Sequence, residues 1–140
     1  MLRIITCTLG SFFFALSMNA PKRCIPAILS GTFISSALSI ILYDHYGNFT
    51  ACLFATLAVS LYGEILARKM KTPTTVFLLP SVIPMLPGSY IYYSMLGAVN
   101  GDERAFTHNL KETAFCSLGI ALGTVICSII IEFIRMIKKK

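Results

Sequence analysis

The sequence predicts an all-α integral membrane protein, a single membrane domain over residues 1–140 built as a bundle of five transmembrane helices, the fourth interrupted by prolines. Three observations carry this prediction. The chain is 56% hydrophobic and 13% charged, with a mean hydropathy of +0.76, far outside the range of an ordinary soluble domain. Its basic residues fall in short clusters between apolar runs. The apolar stretch "LLPSVIPMLPGSYIYY" at 78–93 contains Pro80, Pro84, Pro87 and Gly88, where lipid would demand an unbroken helix.

The first apolar run, Ile4 to Met18, follows Arg3, and Ala15-Leu16-Ser17 has the look of a signal-peptidase site. Lys22 and Arg23 come directly after it and favour an uncleaved anchor. The second run is Ile25 to Tyr43 and the third Phe49 to Ala67, joined by a Gly47-Asn48 turn. The fourth, Thr74 to Val99, has Thr72 and Pro73 as an N-cap and first-turn proline. The fifth is Thr113 to Ile134, preceded by the longest polar connection, Asn100 to Glu112.

Five spans put alternate connections on the same side. One side then holds Lys22, Arg23, Arg68, Lys69, Lys71, Arg135 and Lys138 to Lys140, and the other Arg3, Arg104 and Lys111, with the acids Asp44, Asp102, Glu103 and Glu112. Nine basic residues against three place the amino terminus outside and the carboxyl terminus in the cytoplasm. No face accumulates enough charge for a polyanion, so nucleic acid is not an expected partner. Cys7, Cys24, Cys52, Cys116 and Cys127 form no C-x-x-C pair and read as free packing residues. His45 and His108 fall in polar connections without a second ligand nearby, so no metal and no cofactor are expected.

The fourth run is 26 residues, about 39 Å as a continuous helix, against a hydrocarbon core of about 30 Å. Each proline lacks an N–H, which deprives the carbonyls of Val76, Pro80 and Ile83 of their helical donors. Two readings are open. In the first, the break builds a substrate site near the midplane: a half-helix starting at Gly88 and Ser89 offers amides to a carboxylate, unpaired carbonyls face a cation or ammonium group, and Tyr92 faces the path. Pro84, Pro87, Gly88, Ser89 and Tyr92 are then the substrate-binding residues of a site suited to a small amino acid or organic acid. In the second, the stretch is a kinked packing helix with its tyrosines in the aromatic belt.

Glu64 is the acidic residue set inside the third run, either an ion-coupling carboxylate or an interfacial partner of Arg68 one turn on. Cys116, Gly119, Gly123 and Cys127 line small side chains along one helical face, a close-packing surface for a helix of this chain or of another subunit. No H-E-x-x-H, G-x-S-x-G or P-loop occurs, and Ser17, Ser60 and Ser117 have no histidine nearby in sequence, so an enzyme is not expected.

The run "GEILARKMKTPTTVFLLPSVIPMLPGSYIY", Gly63 to Tyr92, resembles the signature of the threonine/serine exporter family in its small-subunit form. The shared features are Gly63, the basic stretch, Pro73, Phe77, the P-x-x-P-G of Pro84 to Gly88 and Tyr92, with "GIALG" a weaker likeness near the end. The resemblance implies the small subunit of a secondary-active, multi-pass inner-membrane exporter of threonine and serine that works with a larger membrane subunit. It also leaves room for a dicarboxylate such as succinate as the solute, for assembly with further copies of the chain, and for a non-transporting structural subunit.

Overall fold

The computed structural model describes residues 2–138, and the side chains of residues 5–43 and 45–137. Among these residues the structure is helical, with no strand. Six α-helices follow one another: α1 Leu2–Ser17, α2 Ile25–Tyr46, α3 Asn48–Met70, α4 Thr75–Val82, α5 Gly88–Asn100 and α6 Glu103–Lys138. Single 3-10 turns, Lys22–Cys24 and Ile83–Met85, precede α2 and follow α4. The charges assigned above to the side chains of Arg3, Asp44 and Lys138 to Lys140 lie outside what is described.

The molecule is inside-out relative to a soluble domain. Most of its buried positions are small or hydroxylic, among them Ala15, Ala51, Ala55, Thr32, Ser35, Thr56 and Ser81, with Phe77, Ile28, Val59 and Met85 the large side chains inside. Large apolar side chains such as Phe13, Phe33, Ile41, Phe54, Ile65, Phe115, Ile129 and Phe133 point outward. In lipid no hydrophobic gain separates inside from outside, so helices are held by close approach of small residues and by hydrogen bonds between them. This pattern and the helix lengths define an integral membrane protein.

Three helical stretches are long and apolar enough to cross a bilayer: Lys22–Tyr43, Asn48–Met70 and Glu103–Ile137. Thr75–Met85 and Gly88–Asn100 form a pair bent by 49°, a fourth crossing if counted as one, and Ile5–Ser17 is a shorter apolar helix. The α2–α3 junction is the sharp turn expected at Gly47, whose φ of 82° favours glycine. At the other end of α3, Lys71 takes a left-handed φ of 53° and Thr72 N–H bonds to Ala67 O at 3.1 Å, closing the helix.

Three expectations need correction. Asn100 to Glu112 is not a connecting loop: after a left-handed Gly101, Asp102 Oδ1 accepts from the amides of Arg104 (3.1 Å) and Ala105 (3.0 Å) and starts α6 there. The 36 residues of α6 therefore extend about 54 Å, well beyond a hydrocarbon core. The N-cap of α4 is Thr74 rather than Thr72, and its hydroxyl caps nothing because it donates to Glu64 at 2.7 Å. Pro80 lies inside α4, which continues helically to Val82, so the chain leaves α-helix only after that residue.

The small-residue face of α6 finds its partner within the chain. A Cβ placed on Gly119 would sit 2.8 Å from Phe49 O, and one on Gly123 2.9 Å from Leu53 O and 3.0 Å from Thr56 Cβ, all on α3. Only glycine admits that approach, so these two residues set the α3–α6 seam. A second close contact joins α2 to α4, where a Cβ on Gly31 would sit 2.7 Å from Ser81 Oγ.

Candidate functional site: a polar cavity at the broken helix

Between Val82 and Gly88 the chain makes a tight sequence of turns. Leu86 N–H bonds to Ile83 O at 3.1 Å, Gly88 N–H reaches back to Leu86 O at 2.8 Å across Pro87, and Ile91 N–H to Pro87 O at 3.0 Å opens α5. Neighbouring helices supply further donors: Ser35 Oγ donates to Ser81 O at 2.8 Å, and Cys116 Sγ to Met85 O at 3.3 Å. The Ile83 carbonyl, expected to be free for a cation, is thus occupied. Irregular backbone is tolerated at membrane depth only with such compensation.

The break lines a cavity of about 270 Å³. Pro84 to Pro87, Ser89 and Tyr90 form one wall, Ser36, Ser39, Ile40 and Tyr43 of α2 another, and Asn48, Ala51 and Cys52 of α3 a third, with Cys7 and Cys116 completing it. Among the described residues this lining has no charged side chain. Tyr43 and Tyr90 hydroxyls meet at 3.1 Å across the cavity, and Asn48 donates from Nδ2 to Glu112 Oε2 at 3.1 Å just outside it. Helical geometry leaves the amides of Ser89 and Tyr90 without intrahelical acceptors, so the positive end of α5 belongs to residues of the cavity wall.

The expected site residues divide. Pro84, Pro87 and Ser89 come together in this cavity. Gly88 sits beside it with open space where a Cβ would go, and its N–H is held by Leu86 O. Tyr92 is on the outer side of α5, 63% exposed and edge-on to Tyr93 at 5.4 Å between ring centroids. Met85 of the break meets Cys116 through its carbonyl and Thr56 through its sulfur at 4.0 Å, and the cavity extends from there along α3 to Cys52 and Asn48 beside the Gly47 turn. Glu64 lies at the opposite end, where Oε1 pairs with Arg68 at 3.2 Å and Oε2 accepts from Thr74. His45 and His108 are exposed, the five cysteines are free, and no metal-binding cluster occurs among the described residues.

The α2 wall was not among the expected site residues. Gly31, Ser35 and Ser39 recur every four residues, the same small-residue spacing that marked α6, and that signal places one face of α2 against the break.

The bundle thus holds a neutral, hydroxyl-lined cavity under a broken helix. The family model of the "Threonine/Serine exporter, ThrE" matches residues 3–130, and the chain belongs to that family. It is 27% identical over 93 residues to a threonine/serine exporter of Corynebacterium glutamicum, an alignment covering 66% of this chain and 19% of that protein. The chain thus spans about a fifth of the length of the curated relative it matches. No solved structure matches.

Proposed function

We propose that the chain is the small subunit of a secondary-active inner-membrane exporter of threonine and serine, working with a larger membrane subunit of the same family. The observation that carries this reading is the family match over residues 3–130 in a chain whose broken helix lines a polar cavity. A cavity of about 270 Å³ suits a small amino acid better than a drug-sized ligand. The amides of Ser89 and Tyr90 meet the carboxylate, while Tyr43, Ser36 and Ser39 offer oxygens to the ammonium group and to the solute's own hydroxyl. Pro84 and Pro87 hold the start of α5 open and Gly88 keeps its approach clear, while Tyr92 stands on the outer side of α5, away from the cavity.

In the bilayer α4 and α5 form one proline-interrupted span, which with α1, α2, α3 and α6 makes five. The nine-to-three excess of Lys and Arg puts the amino terminus outside and the carboxyl terminus in the cytoplasm. The cavity, which reaches Asn48 beside the Gly47 turn, then lies toward the outer end of the bundle. Glu64, one turn from the cytoplasmic end, is the ion-coupling candidate, with its pairing to Arg68 as the resting state.

The test is efflux of radiolabelled threonine, serine and succinate from loaded cells producing this chain, the larger subunit, or both. Threonine and serine efflux only when both are present supports the assignment. Threonine efflux with the larger subunit alone, unchanged on adding this chain, removes it from transport, and efflux of succinate alone replaces the substrate.

A further inference from the structure

A groove of about 490 Å³ runs along the flank of the α3–α6 pair, beginning at the Gly47 turn. Glu112 stands at its polar end beside Tyr46 and Asn48. Phe115, Leu118 and Leu122 of α6 carry its floor onward with Phe49 of α3. The α6 residues recur every three or four positions, so they form one longitudinal stripe. From Glu112 to Leu122 that stripe rises about 15 Å, half of a hydrocarbon core of about 30 Å and so the depth of one leaflet.

Glu112 is the residue that says what the groove holds. Among the acidic side chains described, Asp102, Glu103 and Glu132 are exposed, while Glu64 and Glu112 are half-buried. Glu64 has the guanidinium of Arg68 at 3.2 Å. Glu112 has no basic partner among the described residues, and its Oε2 accepts from the neutral amide of Asn48 at 3.1 Å. Lys111 precedes it in the chain, but adjacent helical positions face different sides. A carboxylate partly withdrawn from water without a cation is costly, and a cationic group in the groove offsets that cost. Aromatic rings, which attract an ammonium group, stand beside it: Tyr46 lines the same end, and Phe49 and Phe115 meet edge-on at 6.5 Å between centroids.

We propose that this groove binds one phospholipid with a primary-ammonium headgroup, drawn from the leaflet at the Gly47 end of the bundle. Its ammonium donates to Glu112 beside the ring of Tyr46, and an acyl chain lies along Phe115, Leu118 and Leu122. An anionic headgroup would meet an uncompensated carboxylate, and a quaternary ammonium has no N–H to donate. The lining also tells against a helix of another protein. Helices of this bundle approach one another closely at Gly31, Gly119 and Gly123, whereas this groove is floored by Phe and Leu, side chains that hold a helix away. Asn48 belongs both to this groove and to the wall of the cavity under the break, so a bound headgroup also steadies that wall. The site does not depend on which solute the cavity carries.

The test is lipid retention by the purified full chain, read by native mass spectrometry after equilibration with equimolar dioleoyl phosphatidylethanolamine, phosphatidylcholine and phosphatidylglycerol. The ethanolamine lipid is expected to be retained roughly threefold over either of the others, the scale of one partly exposed ion pair. Glu112→Gln should bring it down to the level of the choline lipid, and Glu132→Gln, at the opposite end of the bundle, should leave the preference in place. Equal retention of the three lipids, or a preference untouched by Glu112→Gln, overturns the proposal. A second measurement leaves Glu112 intact. With Leu118 replaced by p-benzoylphenylalanine, photolysis in membranes of cells producing the chain with the larger subunit should attach phosphatidylethanolamine in excess of its share of the membrane lipids, read as the lipid's mass on the peptide carrying position 118. Attachment to a protein instead gives the groove to a helix partner and overturns the lipid assignment. Attachment to all lipids in proportion to their abundance overturns the headgroup selectivity.

Discussion

Ser35 does at one atom what the broken helix requires of its surroundings. Its hydroxyl lies 2.9 Å from Thr32 O and 2.8 Å from Ser81 O, so the proton that would close a local turn also caps a carbonyl of α4 just before the break. Ser35→Ala should lower stability by about 1 kcal/mol, the typical value of one hydrogen bond, read as a lower thermal midpoint in detergent at unchanged helicity. The tyrosines make a sharper comparison. Tyr90 bonds Tyr43 across the cavity while Tyr92 is exposed, so Tyr90→Phe should cut threonine export several-fold, more than Tyr92→Phe, when efflux is normalised to membrane abundance. Equal effects would move the solute path to the outer face of α5. At this scale the prolines and Ser89 were legible, because a missing N–H is written in the sequence. Ser36, Ser39, Asn48 and Cys52 were not, because the cavity is assembled from helices dozens of residues apart and only the fold brings them together.

Among elements, the α3–α6 seam is the most constrained. Gly123→Leu would drive a side chain into Leu53 O and Thr56, and overpacking of this kind costs about 1–3 kcal/mol or more. The expected outcome is low membrane abundance or a reduced thermal midpoint for the chain itself. An unchanged midpoint would mean that α3 and α6 do not meet there. The small-residue stripe was readable from its spacing, but its partner was not, since spacing names a face and not what covers it. That partner is α3, so the stripe gives no support to a second subunit. The run of α6 into the polar segment from Glu103 was hidden for a related reason: hydropathy marks where lipid ends, and helix continues past that point when Asp102 caps it and Gly97 packs 2.7 Å, by its notional Cβ, from Phe106 N.

For the whole molecule, hydropathy and the clustering of Lys and Arg between apolar runs mark a membrane protein, and the nine-to-three excess of Lys and Arg predicts its orientation. A reporter fused after Lys140 should be active only if it works in the cytoplasm, and activity of a periplasm-dependent reporter there would invert the bundle and turn the cavity under the break inward. The angle of the break was the least legible quantity, because residue counts along the chain assume a straight helix and the two halves are bent by 49°. The cavity under the break is where the proposed solute binds. Ser39 is half-buried on its wall, and Ser39→Leu fills the space without a charge or a break in α2. Efflux of labelled threonine from cells producing both subunits is predicted to fall at least tenfold in Ser39→Leu at normal membrane abundance, and wild-type efflux in that variant would show that the cavity does not carry the solute.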